Sequence, residues 1–239
     1  MLAQEALPPR PAVERTERRA RVCGVDDDTL IRDGLTALLR DHEVVSMFTD
    51  VGSFLAARPR CDVVLLDLHL SDSPHPRGRQ GAQAIRDVRE AGYTVLIYTN
   101  ERRLPVLLGC LRAGASGISH KTEPLSDLSR AIARVAAGET VITTTLTGLA
   151  EMAQRRGELP SLSPRQVEVL SARARGEAYR AIASRLFLSQ KTVEEYMAEV
   201  SKKFTDFLAT HSPADLERAL GVGPGDLLDW RLDEPRVSR

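Results

Sequence analysis

Five short apolar runs, separated by amphipathic stretches, constrain this chain more than any other feature. ARVCGV (20–25), EVVSMF (43–48), DVVLLD (62–67), TVLIYT (94–99) and GISH (117–120) have the length and β-branched content of strands buried on both faces. Leu30, Ile31, Leu35, Leu38 and Leu39 share one helical face after the first run. Leu104, Leu107, Leu108 and Leu111 share another after the fourth, and Leu125, Leu128, Ile132 and Val135 a third after the fifth. Strand and helix alternating five times predict an α/β domain over 20–138, a parallel sheet covered by helices on both faces. Such sheets place their functional crevice at the carboxyl ends of the strands.

The alternation stops near Gly138, and the 239 residues are long enough for a second domain. Residues 139–160 hold a short helical piece, LTGLAEMAQRR, and close on Gly157, Glu158, Leu159 and Pro160 as a linker. From 161 the strands disappear. SPRQVEVLSARAR, AYRAIASRL and SQKTVEEYMAEVSKKF read as three helices, the first with Ser163 at its N-cap and Pro164 at N1, and Gly176 separates the first two. PADLERAL and PGDLLDW follow, placing Leu216, Leu220, Leu227, Leu228 and Trp230 to cover the core of an all-α domain over 161–232 or, alternatively, to form a dimer surface, the first being favoured, with 233–239 as a tail. The Pro-rich, charged residues 1–19 are expected to be a disordered leader.

Composition narrows the function classes. Net charge is zero, so any nucleic-acid contact must rest on a local patch. No apolar run is long enough to span a bilayer, and the first residues lack the apolar core of a secretory signal. Cys23, Cys61 and Cys110 have no CxxC spacing, which fits reduced thiols in the cytoplasm and argues against a zinc site or disulfide frame.

Strand ends carry the chemistry of the first domain. Asp26 and Asp27 follow the first strand, Asp67 ends the third, Thr99 ends the fourth and Lys121 follows the fifth. Converging carboxylates repel unless a cation shares the site. A hard divalent ion with oxygen ligands, helped by the Lys121 ammonium, suits them, and Mg²⁺ would leave positions open for phosphate oxygens. His69, Asp72 and His75 on the next loop are expected to be solvated rather than metal-bound.

VDDDTLIRDGLTALL, DVVLLDLHL, VLIYTN and GASGISHKTEPLSDLSRAI together resemble the receiver domain of bacterial two-component response regulators. The resemblance implies a flavodoxin-like (βα)5 fold and a phosphoacceptor at Asp67 that takes phosphate from a cognate histidine kinase. It implies Mg²⁺ on Asp26, Asp27, Asp67 and the backbone carbonyl of His69, with Lys121 and Thr99 on the phosphoryl group. Two features depart from the family. Ile118 occupies the place of an aromatic switch residue, and the loop from His69 to Gly81 is long and lacks the proline four after the acceptor. A haloacid-dehalogenase-type phosphatase is the enzymatic alternative. The Asp26-x-Asp28 pair places its hydroxyl one position early for that motif and no cap domain follows, so the chain is expected not to be an enzyme.

LSPRQVEVLSARARGEAYRAIASRLFLSQKTVEEYM resembles the helix-turn-helix effector domain of NarL/FixJ (LuxR-type) regulators. The resemblance implies DNA reading by the Ser189-capped helix and homodimers on repeated half-sites; the alternative output is protein binding through this helix, for example to RNA polymerase. Glu194 stands where the family commonly has Lys, with Glu195 beside it, and Gln166 replaces a usual glutamate. Carboxylates at a phosphate surface forfeit counterion release. Three readings stay open. A glutamate could accept from cytosine N4, the helix could bind a protein instead, or Glu195 with Lys191 and Glu199 with Lys202 and Lys203 could simply pair on the surface. Residues 163–203 carry eight basic side chains against five acidic, which favours retained DNA binding. Arg180, Lys191, Thr192 and Lys202 are the expected backbone contacts, with Glu195 and Tyr196 as further candidates.

Overall fold

A computed structural model describes residues 19–70, 81–159 and 161–221. The expectations for the leader, most of the loop after Asp67, and the segment with Leu227, Leu228 and Trp230 lie outside these residues.

Each predicted apolar run is a strand: β1 (Arg21–Val25), β2 (Glu43–Phe48), β3 (Val63–Leu66), β4 (Val95–Thr99) and β5 (Gly117–His120). They form one parallel sheet in the order β2-β1-β3-β4-β5. Between them run α1 (Thr29–Leu38), α2 (Val51–Ala57), α3 (Gly81–Glu90), α4 (Leu104–Arg112) and α5 (Leu125–Ala136). Alternation along the strands sorts the side chains. Val22, Val63, Leu65 and Leu96 meet Leu35 of α1 and Leu128 and Ile132 of α5, whereas Cys23, Val64, Leu66 and Ile97 meet Phe54, Ile85 and Leu107 of α2, α3 and α4. Burying each large apolar side chain contributes roughly 1.5–3 kcal/mol.

After α5 the chain makes one parallel bridge, Gly117 to Val141, beside the edge strand β5. Ile118 donates its N–H to the Val141 carbonyl at 3.0 Å. A Cβ at position 117 would lie 2.8 Å from that carbonyl oxygen, so the bridge requires glycine there.

Five helices follow: α6 (Thr144–Arg155), α7 (Pro164–Ala174), α8 (Tyr179–Leu186), α9 (Gln190–Thr210) and α10 (Pro213–Leu220). The short helical piece of the linker stretch is a full helix, α6. Its Leu146, Leu149, Ala150 and Ala153 are buried, and it packs chiefly on α7 and also on α4. Helix α9 runs past Phe204, because Phe207 and Leu208 extend the apolar stripe of Val193, Met197, Val200 and Phe204. Helix α4 also packs on α9, so the core on that face of the sheet continues without a break into the helical half.

Candidate functional site: an acidic pocket and a helix-turn-helix

Neighbouring strands β1 and β3 send their connections in opposite directions, which opens a crevice at their carboxyl ends. Asp26 and Asp27 enter it directly after β1, and Asp67 directly after β3. One carboxylate oxygen from each lies within 4.8 Å of the other two. Lys121, the residue after β5, reaches across: its Nζ stands 2.7 Å from Asp26 Oδ2 and 2.8 Å from Asp67 Oδ2. The other Asp67 oxygen accepts the Leu68 N–H at 2.7 Å. Asp26 and Asp67 are almost fully buried.

Burial pushes the Asp26 carboxyl above its ordinary range, against the opposing pull of the Lys121 ammonium. Burial also opposes the charge on Lys121, but its hydrogen bonds to Asp26 and Asp67 outweigh that and raise its pKa. An all-oxygen set of three acids is the donor chemistry of a hard divalent cation.

Several supporting residues escaped the sequence reading. Asp28 is exposed and caps α1, accepting the Leu30 N–H at 2.8 Å, so it stands outside the acid cluster. This removes the second aspartate that the phosphatase alternative needs. Arg32 donates to the carbonyls of Asp26 and Asp27, each at 2.7 Å, and fixes the loop that carries them. Glu101, buried beyond β4, binds the Arg103 guanidinium and stands 3.7 Å from the His69 ring. The Asp28 cap could have been read from an aspartate preceding a helical period; Arg32 and Glu101 gave no local signal.

Thr99 is fully buried at the end of β4, and its hydroxyl accepts the Glu101 N–H at 3.2 Å. Ile118 is buried within the core rather than standing free beside the pocket.

Helices α8 and α9 form the helix-turn-helix. Ser189 caps α9, accepting the Thr192 N–H at 3.0 Å, and Phe187 makes the turn with φ of 55°. Arg165, Arg175 and Arg185 are held by Glu168 and Glu177, and Lys203 donates to the Ser161 carbonyl. Among the described residues 161–221, Arg180, Lys191 and Lys202 are the exposed cations without an ion pair. At 100° per residue Lys191, Glu195 and Lys202 fall on one face of α9. Tyr196 is half-buried and packs on the core.

The surface pairs of the third reading are not the ones formed on α9. Glu199 instead accepts the side-chain amide of Gln166 on α7, and among the described residues no ion pair joins Glu195 to Lys191. Glu194 does not face solvent as a free surface acid. With Gln190 it lines a seam against the sheet domain that also contains Ser119, Arg130 and Arg134, and Arg134 donates weakly to the Glu194 carbonyl at 3.4 Å.

Comparison with known proteins agrees with both halves. Residues 22–133 match the response regulator receiver domain, and residues 160–212 match the bacterial regulatory proteins of the luxR family. A putative transcriptional regulator of Pseudomonas aeruginosa is 31% identical over 204 residues, covering 82% of this chain and 95% of that protein. The oxygen regulatory protein NreC of Staphylococcus epidermidis is 31% identical over 198 residues, 74% of this chain and 88% of the relative. The nitrate/nitrite response regulator protein NarL of Escherichia coli is 26% identical over 197 residues, 77% and 88% of the two chains. The two family models together span most of the chain and these relatives align over both halves, and the chain therefore belongs to the NarL-type response regulators, transcriptional regulators that join a receiver domain to a LuxR-type helix-turn-helix domain.

Proposed function

We propose that Asp67 accepts a phosphoryl group and that this controls DNA binding by the α8–α9 unit. The supporting observation is the pocket itself, in which Lys121 bridges Asp26 and Asp67 while Asp27 completes a three-acid cluster. In the transfer an Asp67 carboxylate oxygen forms a bond to phosphorus. The bond from phosphorus to the imidazole nitrogen of a cognate histidine kinase breaks, and its electron pair stays on that nitrogen.

Asp26, Asp27, Asp67 and the backbone carbonyl of His69 would hold Mg²⁺, which neutralises charge on the phosphoryl oxygens. Lys121 exchanges one of its carboxylate partners for a phosphoryl oxygen. Thr99 still has its hydroxyl proton to donate, because the Glu101 bond uses its oxygen only as acceptor. With Ile118 in the core, the threonine's movement is transmitted without an aromatic ring.

The proposed division is a receiver over 20–138, a linker with α6 over 139–160 and an effector over 161–232. In the effector Arg180, Lys191, Thr192 and Lys202 contact DNA phosphates, Glu195 faces base edges, and Tyr196 contributes from the flank. The N-terminal turn of α9 must leave the receiver before it can enter a major groove, because Gln190 and Glu194 now line the seam. Phosphorylation favours the released form, which pairs as a homodimer on repeated half-sites and works with RNA polymerase in the cytoplasm.

Labelling with radioactive acetyl phosphate tests the first step. Wild type labels with Mg²⁺ and not with excess chelator, and Asp67→Asn does not label; equal labelling of that variant would remove Asp67 from the mechanism. Selection from a random DNA pool tests the second step. No enriched motif from phosphorylated or unphosphorylated protein would sink DNA reading.

A further inference from the structure

Between the receiver and the effector lies a cavity of about 410 Å³. Its volume is that of a small-molecule site. One wall is α5 with Arg130 and Arg134; the other is Arg173 of α7 and the start of α8, Ala178, Tyr179 and Arg180. Three observations on this wall share one chemistry. First, α8 begins at Ala178, which has no side chain to cap it, so its first-turn N–H groups lack a side-chain acceptor. Second, the half-buried Arg173 lies 4.4 Å over the Tyr179 ring and gives its Nη1 to the Glu177 carbonyl, while its Nε is buried without a hydrogen-bond partner. A buried donor left unmade is costly and is the kind of group a ligand satisfies. Third, Arg180 is exposed and carries no ion pair among the described residues.

The acids on the lining do not answer the α8 N–H groups, the Arg173 Nε or Arg180, whereas Arg130 is paired with Asp127 and Arg134 with Glu139, and an anion would share those two guanidinium groups with their acids. Asp127 is held by Arg130, Glu123 accepts from the Ser119 hydroxyl and the His120 N–H, and Glu194 accepts from Gln190. Arg134 gives its Nε to Glu139 and reaches the Glu194 carbonyl only at 3.4 Å.

We propose that this seam binds a small phosphate-bearing anion, which takes the α8 N–H groups, Arg173 and Arg180 from the effector and Arg130 and Arg134 from the receiver. A helix N-terminus with flanking guanidinium groups is a ready phosphate site. A ligand that touches both walls binds only the arrangement in which they face each other. It therefore stabilises the form that keeps the N-terminal turn of α9 against the receiver. The site does not depend on phosphorylation of Asp67 and stands or falls separately from it.

Calorimetric titration of the full chain with pyrophosphate and with ATP tests the proposal, with sodium chloride at matched ionic strength as the blank. The expected result is saturable binding that weakens at least tenfold in Arg180→Ala and also in Arg130→Ala, an exposed residue of the receiver wall. Circular dichroism confirms that both variants fold. No saturable binding of either probe overturns the proposal. Weakening in Arg180→Ala with wild-type affinity in Arg130→Ala also overturns it, because the anion then sits on a DNA-phosphate surface of the effector alone.

Discussion

At the scale of single residues, Glu101 shows how the pocket rim is held. Burial opposes its ionisation, yet the Arg103 guanidinium and the N–H groups of Arg102 and Arg103 hold its pKa down to about 2. A carboxylate depressed in the folded state adds stability that is present above its unfolded pKa and is lost as pH falls toward the folded value. Glu101→Gln should therefore cost about 2 kcal/mol at neutral pH, less than the full pKa depression would give, because solvent screens the half-exposed Arg103 guanidinium. Urea denaturation from pH 7 to 2 checks this. The gap between wild type and variant should hold down to about pH 4.5 and then close, and a gap independent of pH would assign the loss to packing instead. The acids and the lysine of the pocket were legible in the sequence because strand ends in a parallel sheet converge wherever the strands lie. Arg32 and Glu101 were not, since their partners are backbone groups or side chains brought near only by loop conformation.

At the scale of elements, two junctions explain residues that looked anomalous. Gln166 completes a capping box with Ser163, accepting the Ser163 N–H at 2.9 Å while its own N–H reaches the Ser163 hydroxyl. Its amide also donates to Glu199 on α9. A glutamate could perform the cap but would set a carboxylate against Glu199. Gln166→Glu should thus destabilise the effector by about 1–3 kcal/mol, and adding Glu199→Lys should recover most of it; thermal denaturation of both variants decides. Phe187 is almost wholly exposed, 96%, and sits in the left-handed region at the turn before Leu188. A non-glycine residue there is strained, so Phe187→Gly should stabilise the chain by about 0.5–1 kcal/mol even after the entropy that glycine adds to the unfolded state. A loss of stability on urea titration would show that the ring has a packing role.

At the scale of the whole molecule, the apolar core running through α4, α6 and α9 places the receiver against the second helix of the helix-turn-helix. Glu194 then has a role that isolated helix chemistry could not supply: it stands in a seam whose other charged residues include Arg130, Arg134, Arg173 and Arg180. Glu194→Lys adds a further cation to that seam. It should open the two halves, seen as a larger radius of gyration by small-angle scattering, and raise DNA affinity about tenfold, a gain of ~1.4 kcal/mol. Unchanged compactness and unchanged affinity would contradict this role for the residue.

Local periodicity, strand-end position, capping and turn chemistry are enough to specify the five strands, the helices between them, the acid-lysine pocket and the helix-turn-helix. They specify less well the extent of α6 and α9, whose outer turns are held by packing on α7, α4 and α10 or on the common core. How Glu194 is used, which cations stay free of carboxylates, and the arginine-lined cavity between the halves all arise from the packing of distant segments. These depend on contacts across some sixty residues of chain, such as Arg134 with Glu194. A one-dimensional pattern records which side chains share a helix face, but not which face of another domain comes to lie opposite.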